Sequence, residues 1–184
     1  QVLPHAKEKS VDVEVIIGNV TGRAGQGRLH VSASTIAGQG IPHSVKTHSA
    51  EPIGLPVAWS AEGAKTKFRY HLGDKALLWD EFSPVVYELI LTLDTRDTTT
   101  GSVNTLLPLG NSGVSHCRSV RFGLRDLEIR GTQFALNGRP IFLRGTLECC
   151  IFPKTGHPPL DRESWRDILT TARKHGLNHL RFHS

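Results

Sequence analysis

Apolar residues alternate with polar ones in a series of short segments along residues 1–122, and this alternation constrains the fold more than any other feature. In the segment Ser10–Ile17, valines alternate with Asp12 and Glu14, so that one face of a strand is apolar and the other is polar. The strongest strand signal is the segment 85–93 (VVYELILTL). We therefore expect strands with one buried face in this part of the chain.

About seven short strands separated by turns are predicted for residues 1–122. Alternation also marks residues 28–33, 66–72 and 118–122, whereas 38–56 is dotted with Pro and Gly and indicates loops and short edge strands. Turn signals at intervals of about ten residues, without a helical period, are typical of an antiparallel β-sandwich of the immunoglobulin type. The Cys…Trp…Cys spacing of antibody domains is absent, so the sequence implies the architecture alone.

The pattern changes after Gly123, where a second region, residues 123–184, is expected to begin. Apolar residues in 124–130 are followed by two short apolar segments, 134–136 and 140–143. The pair Asn137-Gly138 lies between these two segments and predicts a β-hairpin, because both residues tolerate a positive φ.

A helix is predicted for residues 161–176, with Asp161 as its N-cap and Gly176 ending it in the left-handed conformation. Its apolar residues fall at i, i+3, i+4 and i+7: Trp165, Ile168, Leu169 and Ala172. A strand at 140–145, this helix and a strand at 177–182 form one βαβ unit, which implies a parallel sheet.

The charge pattern excludes several classes of function. The chain has 22 basic and 17 acidic residues, but no dense Lys/Arg block and no basic segment interleaved with aromatic residues, so we expect no nucleic-acid partner. No apolar run reaches the ~18–20 residues of a membrane span, and no signal peptide is recognisable. Methionine is absent even from position 1, so we expect a processed chain or a piece of a longer one. The compartment stays open, and a periplasmic or secreted location is compatible with the sequence.

Neither a metal site nor a cofactor is expected. The possible metal ligands are three cysteines and three histidines four residues apart: Cys117, Cys149, Cys150, His175, His179 and His183. No C-x-x-C pair is present, and the histidines cross from the predicted helix into the predicted strand, so they do not share a face. Adjacent cysteines do not easily bridge each other, so we expect free thiols that are buried or half-buried.

Two motifs resemble glycoside hydrolase family 2, which includes β-galactosidases, β-glucuronidases and β-mannosidases. Residues 78–80 (LWD), Pro84 and 86–89 (VYEL) resemble a strand motif of that family. Residues 121–145 (RFGLRDLEIRGTQFALNGRPIFLRG) are similar to the junction at which its immunoglobulin-like domain passes into the catalytic barrel. Residues 161–184 resemble its first barrel helix and second barrel strand.

The resemblance implies a mainly β chain, with an immunoglobulin-like sandwich at 1–122 followed by a partial βαβ segment of a (β/α)₈ barrel at 123–184. Enzymes of this family are retaining glycosidases that act on carbohydrate with two carboxylates about 5–5.5 Å apart. In the family both are glutamates on later barrel strands. No catalytic residue is therefore expected in this chain, and both glutamates are expected beyond residue 184.

The resemblance also gives three candidates for contact with substrate or with the catalytic nucleophile. Arg181 matches an arginine that lies beside the nucleophile in the family, and His183 lies one residue out of register with a family histidine. Glu148 follows the first predicted barrel strand. The neighbouring Leu147 and Cys149 replace the asparagine and histidine common in the family, so those sugar contacts are not expected here.

Other functions remain open at this point. One is a non-catalytic carbohydrate-binding β-sandwich module, in which Trp59 could stack on a sugar; packing of Trp59 in the core or against another domain is the competing interpretation. Another is a structural adhesion domain, which would leave residues 124–184 unexplained. The single βαβ unit, with an open strand edge and an apolar helix stripe, also predicts self-association.

Overall fold

The computed structural model describes residues 1–36, 47–95 and 115–183, and these divide into two compact units, Gln1–Leu127 and Glu128–Ser184. In chain order the described elements are β1 (Val2–His5), β2 (Ser10–Ile17), β3 (Gly25–Thr35), β4 (Ile53–Trp59), β5 (Ala64–His71), β6 (Tyr87–Asp94), β7 (Ser115–Phe122), β8 (Leu127–Arg130), β9 (Gln133–Leu136), β10 (Arg139–Pro140), β11 (Gly145–Glu148), α1 (Arg162–Lys174) and β12 (His179–Phe182). No helix among them is long and apolar enough to cross a membrane.

The first unit is an antiparallel β-sandwich, which confirms the predicted architecture. One sheet has the strand order β1-β2-β5 and the other has the order β4-β3-β6-β7. In constant-type immunoglobulin domains the fourth strand pairs with the fifth. Here β4 pairs instead with β3, from Gly25 opposite Trp59 to Val31 opposite Ile53. The sheets therefore contain three and four strands.

The core lies between the two sheets and follows the alternation seen in the sequence. On β6, Tyr87, Leu89 and Leu91 point inwards and are buried. Ile90, which points to the other face of the sheet, is partly exposed. The ring of Tyr87 stacks on that of Phe122 with centroids 5.5 Å apart, and its hydroxyl accepts a hydrogen bond of 2.8 Å from the Leu77 N–H. Burial raises the pKa of Tyr87. The hydroxyl is thus kept neutral and serves as a fixed acceptor inside the core.

The two motifs that resemble the glycosidase family meet in the first unit. The Trp79 N–H donates to the Leu124 carbonyl at 3.0 Å, and the guanidinium of Arg125 lies 4.7 Å from the centre of the Trp79 ring. A side chain at Gly123 would come within 3.2 Å of that ring. Within the apolar segment 124–130, Leu124 is fully buried in the sandwich core and strand β8 begins only at Leu127. Residues 123–125 thus pack on Trp79 before the strand begins.

Two strands of the sandwich differ from the sequence prediction. Residues 2–5, for which no element is predicted, form β1 along the edge of β2. The predicted loops and short edge strands of 38–56 include the start of β4, a full strand of seven residues; residues 37–46 lie outside the described part. Gly54 and Pro56 hide β4 in the sequence, because both residues weaken strand propensity. Since β4 is an edge strand, Pro56 is tolerated there.

In the second unit, the Asn137-Gly138 hairpin is confirmed. Arg139 pairs with Leu136, and the two turn residues have φ of 50° and 80°, as a type I′ turn requires. The parallel pair is also present, with Gly145 opposite His179 and Glu148 opposite Phe182. The first strand of the predicted βαβ unit is not at 140–145, however, but at Gly145–Glu148. The apolar residues just before it are not in a strand, so hydrophobicity alone misplaced the strand by several residues.

Helix α1 begins and ends as the sequence predicts. The Asp161 carboxylate accepts a hydrogen bond of 2.8 Å from the Ser164 N–H, which lowers the pKa of Asp161, and Gly176 has φ of 78°. Trp165 packs edge-on against Phe182 with ring centroids 5.7 Å apart. No residue of the helix is fully buried, and Leu169 of the predicted stripe stays 48% exposed. The described sheet therefore covers only part of the apolar stripe.

The outer face of the β1-β2-β5 sheet carries a cluster of ion pairs around Asp12. The Arg69 guanidinium donates two hydrogen bonds to the Asp12 carboxylate, at 2.7 and 3.0 Å, and also contacts Glu8 at 3.1 Å. His5 approaches the same carboxylate at 2.8 Å. The hydrogen bonds from Arg69 and, second, from His5 hold the pKa of Asp12 far below its usual range. The pairing follows from register, because Asp12 lies opposite Arg69 across the β2–β5 pair.

We predict that Asp12→Asn destabilises the fold at pH 7 and that the difference from the native protein shrinks as the pH falls from about 5 towards 2. A carboxyl group whose pKa is lower in the folded state stabilises the folded protein at pH values above its unfolded pKa of about 3.9. This stabilisation is lost as the pH falls towards the pKa in the folded state. Urea unfolding at several pH values measures the difference. Asp74→Asn is the control, because the exposed Asp74 side chain has no partner among the described residues. A difference for Asp12→Asn that does not change with pH would contradict the prediction.

Candidate functional site

The carboxyl ends of β11 and β12 lie side by side, and all three predicted candidates are located there. Leu147 pairs with Arg181 and Glu148 with Phe182. Beyond the last pair, the His183 N–H donates to the Glu148 carbonyl at 2.9 Å and extends the ladder by one residue. Because the strands are parallel, the residues that end them emerge at one edge.

The two faces of this strand pair differ in what covers them. Phe182 contacts Trp165, so its face is the one on which α1 packs. Side chains alternate along a strand, which puts Arg181 on the opposite face, beside Leu147. Both of these side chains are exposed. Within the described part of the chain, Arg181 has no ion pair or hydrogen bond to its side chain. Its guanidinium is therefore available on the face away from the helix.

Glu148 has a local partner that the sequence analysis did not anticipate. Its carboxylate accepts a hydrogen bond of 2.7 Å from the Cys150 N–H, and Cys150 has φ of 56°. Glu148 also shares a face with Phe182 rather than with Arg181. The carboxylate thus holds the turn that follows β11, and its half-buried side chain is on the helix side of the sheet.

The structure brings the three candidates to one edge but not into contact. His183 takes part through its backbone, and its side chain is exposed. In the ranges the structure describes, no hydrogen bond or ion pair joins the side chains of Glu148, Arg181 and His183. The edge therefore offers one free cation and one imidazole, without a second acid or base positioned against them.

The residues that position this edge were missed by the sequence analysis. The Asn178 side-chain oxygen accepts from the Arg144 N–H at 2.8 Å, and its amide nitrogen donates to the Phe142 carbonyl at 3.0 Å. The Arg144 side chain in turn donates to the Gly176 carbonyl at 2.7 Å, at the end of α1. An asparagine two residues after the helix-ending Gly176 and directly before a strand was the available signal. Asn178 and Arg144 fix the start of the parallel pair.

Gly145 allows the two strands to approach. A Cβ at this position would lie 2.9 Å from the His179 ring and 3.2 Å from the His179 carbonyl oxygen. A side chain at residue 145 would therefore force β11 and β12 apart. This close approach explains why glycine follows Arg144 in the segment that resembles the glycosidase junction.

The described residues contain no group of three His, Cys, Asp or Glu side chains that could hold a metal ion. His175 lies at the C-cap of α1 and His179 at the start of β12, so the repeat of histidines is divided between two elements. All three cysteines are free, as expected, but they are exposed rather than buried. Their positions on an outer sheet face and in a turn account for this exposure.

Trp59, the candidate for stacking on a sugar, packs against the sandwich core. A Cβ at Gly25 would lie 2.7 Å from the Trp59 ring, so the ring covers the Gly25 backbone. The open concave surfaces lie elsewhere. A groove of about 510 Å³ runs along α1 and is lined by Leu160, Trp165, Leu169 and arginines of the helix. It does not include the candidate residues at the strand ends.

No protein-family model and no curated protein matches the sequence. Solved structures do match. A β-glucuronidase of Bacteroides uniformis has a TM-score of 0.64 and 19% identity over 98% of this chain and 19% of its own. A β-galacturonidase of glycoside hydrolase family 2 from Eisenbergiella tayi, solved with galacturonate, has a TM-score of 0.65 and 17% identity over 99% of this chain and 27% of its own.

A Bacteroides fragilis protein assigned as a β-galactosidase has a TM-score of 0.68 and 17% identity, and the match covers all of this chain and 24% of that protein. The chain thus spans less than a third of each of these proteins. At such identities the comparison concerns the fold. It confirms that the resemblance to glycoside hydrolase family 2 holds for the fold over essentially the whole chain.

We predict that Asn178→Ala speeds amide hydrogen exchange in β11 and β12 by about tenfold. The substitution removes two hydrogen bonds, each with a net value of about 0.5–1.5 kcal/mol, and a change of about 1.4 kcal/mol corresponds to a factor of ten. Exchange detected by mass spectrometry over residues 145–148 and 179–182 measures the effect. Thr170→Ala on α1 is the control, because the exposed Thr170 side chain makes no hydrogen bond within the described part of the chain, and it should leave the exchange unchanged. Unchanged exchange in Asn178→Ala would contradict the role of this side chain.

Proposed function

We propose that this chain is part of a retaining glycoside hydrolase of the family 2 type, in which the sandwich braces a catalytic (β/α)₈ barrel. The observation that carries the proposal is the fold match of nearly the whole chain to three glycosidases. In this proposal residues 1–122 are the immunoglobulin-like domain. Residues 123–184 are the hairpin junction and the first strand–helix–strand of the barrel. Carbohydrate is then the substrate of the longer protein.

The uncovered face of the second unit supports a barrel. In a (β/α)₈ barrel, helices cover one face of the sheet and side chains of the other strands fill the interior. Here α1 lies on one face of the β11–β12 pair, and Leu147 on the other face is 49% exposed. Phe142 just before β11 is 74% exposed as well. Apolar side chains of this size are expected to be covered in the complete enzyme.

The position of Arg181 supports a role in orienting the nucleophile. In barrel enzymes the active site is built at the carboxyl ends of the strands. Arg181 is at that end of β12, on the face away from the helix, and has no partner among the residues that the structure describes. A guanidinium can hold a carboxylate ionised and oriented through a bidentate pair of hydrogen bonds. We therefore assign Arg181 as a positioning residue for a catalytic glutamate of the longer protein.

The other two candidates have different roles in this proposal. Glu148 is occupied with the Cys150 N–H, so it shapes the turn after β11 and is not one of the two catalytic carboxylates. His183 extends the strand pair through its backbone, and its side chain is free to contact substrate. The two carboxylates, about 5–5.5 Å apart in a retaining enzyme, come from the later strands.

The test uses the natural reading frame that contains residues 1–184, expressed at full length. We expect it to release p-nitrophenol from at least one β-glycoside of glucuronic acid, galacturonic acid or galactose. Arg181→Ala should lower kcat/KM by about 10²-fold and move the acidic limb of the pH profile upwards, because the nucleophile loses its cation. Arg181→Lys should restore part of the activity, and Arg173→Ala on α1 should leave it unchanged. Absence of hydrolysis, or equal effects of Arg181→Ala and Arg173→Ala, would refute the proposal.

The 184-residue chain distinguishes this proposal from a carbohydrate-binding module. By itself it should neither hydrolyse these glycosides nor bind them, whereas saturable binding in isothermal titration would favour the module. The same chain should self-associate through the exposed apolar side chains of its second unit. Sedimentation velocity over a concentration series measures this, and a constant sedimentation coefficient would contradict it.

A further inference from the structure

Two adjacent cysteines follow directly after β11, and neither the sandwich nor the proposed glycosidase chemistry uses them. Both Cys149 and Cys150 are exposed. The turn that carries them is held at two points: the Cys150 N–H donates to the Glu148 carboxylate at 2.7 Å, and the Glu148 carbonyl accepts from the His183 N–H at 2.9 Å. The pair is therefore fixed to the end of a strand, with both thiols open to solvent.

The two thiols do not readily close on each other. The peptide bond between them is trans, since the described chain contains no cis peptide. Consecutive Cα atoms across a trans peptide are about 3.8 Å apart, below the ~4.4–6.8 Å range of ordinary disulfides. A direct bond between the two sulfur atoms would be strained, and both cysteines are free in the structure.

An atom that bridges both sulfur atoms relieves this strain. A disulfide requires the sulfur atoms to be about 2.05 Å apart. When both sulfur atoms instead bind one bridging atom, with bonds as long as the ~2.3 Å of a zinc–sulfur bond, they stay more than about 3 Å apart. Zinc is not a suitable bridge, because a structural zinc site needs four protein ligands. The described residues offer no group of even three His, Cys, Asp or Glu side chains. The ligand must therefore be one that needs only two sulfur atoms from the protein.

We propose that Cys149 and Cys150 form a bidentate binding site for a trivalent arsenical that carries one organic substituent. Such an arsenic atom has three bonds, one to its own carbon and two that are open to thiols. With an arsine oxide, two As–S bonds form, and the oxygen leaves as water with the two thiol protons. Arsenic stays trivalent and no electrons are transferred, so no oxidant or reductant is needed. The site is independent of the proposed glycosidase function.

The chain provides its own control in Cys117. This residue is also exposed, but it lies on β7 opposite Thr92 and has no adjacent cysteine. A single thiol forms one As–S bond, which an excess of monothiol displaces. Joining two thiols in one molecule adds an effective concentration that strengthens binding by about 10²–10⁴-fold. Retention of the arsenical against monothiol therefore distinguishes the pair from the single cysteine.

The experiment incubates the 184-residue chain with one equivalent of phenylarsine oxide, adds excess glutathione and measures the intact mass. We expect one adduct to remain and to be removed by 2,3-dimercaptopropanol. Cys117→Ser should keep the adduct, and Cys149→Ser and Cys150→Ser should each lose it, with retention lower by about 10²-fold or more. Retention in either of the last two variants, or loss in Cys117→Ser, would overturn the proposal.

A second measurement needs no substitution and so does not depend on how the variants fold. Trypsin cleaves after Arg144 and Lys154, and the peptide 145–154 contains Cys149 and Cys150 without Cys117. After glutathione treatment, the arsenical mass should be found on this peptide. Recovery of the arsenical on the peptide 97–118, which contains Cys117, or on neither peptide would contradict the proposed site at Cys149 and Cys150.

Discussion

The fold depends on one constraint: strands such as β2 and β6 carry a row of apolar side chains at alternate positions, and each apolar face must be covered. In the first unit two sheets cover each other, and the register of β6 between β3 and β7 aligns the inward residues of three strands. Tyr87 and Leu89 are fully buried as a result. The polar positions of the same strands face outwards, where cross-strand ion pairs such as Asp12 with Arg69 form without burying charge.

The second unit meets the same constraint only in part. Helix α1 covers one face of the β11–β12 pair, and Trp165 lies between Phe152 and Phe182. Ala135 and Leu136 of β9 are buried, but Phe142 and Leu147 remain exposed. A parallel sheet is normally covered on both faces. This imbalance is the physical basis for proposing that the unit belongs to a larger barrel.

The candidate edge is organised by polar side chains that bond to the backbone rather than to each other. Asn178 and Arg144 join the two strands and the helix end at the start of the parallel pair. Glu148 holds the turn at the other end. Arg181, between these fixed points, makes no such bond within the described part of the chain. Its backbone is held in the strand pair while its exposed guanidinium has no partner among the described residues, and this is the basis for proposing that it orients a group that arrives from elsewhere.

The sequence by itself determined the sandwich, the Asn137-Gly138 hairpin and the ends of α1, because period-2 alternation, positive φ and helix capping are local properties. Local pattern indicated only loops and short edge strands over 38–56 and did not give the full length of β4, where Gly54 and Pro56 are accepted at a sheet edge. It also did not show that Leu124 packs in the core ahead of β8. Tertiary structure also decided the roles at the candidate edge. Whether Glu148 faces a substrate or caps a turn depends on which strand lies beside it and which face the helix covers. Both are set by contacts between residues far apart in sequence, Glu148 with Phe182 and Trp165 with Phe182.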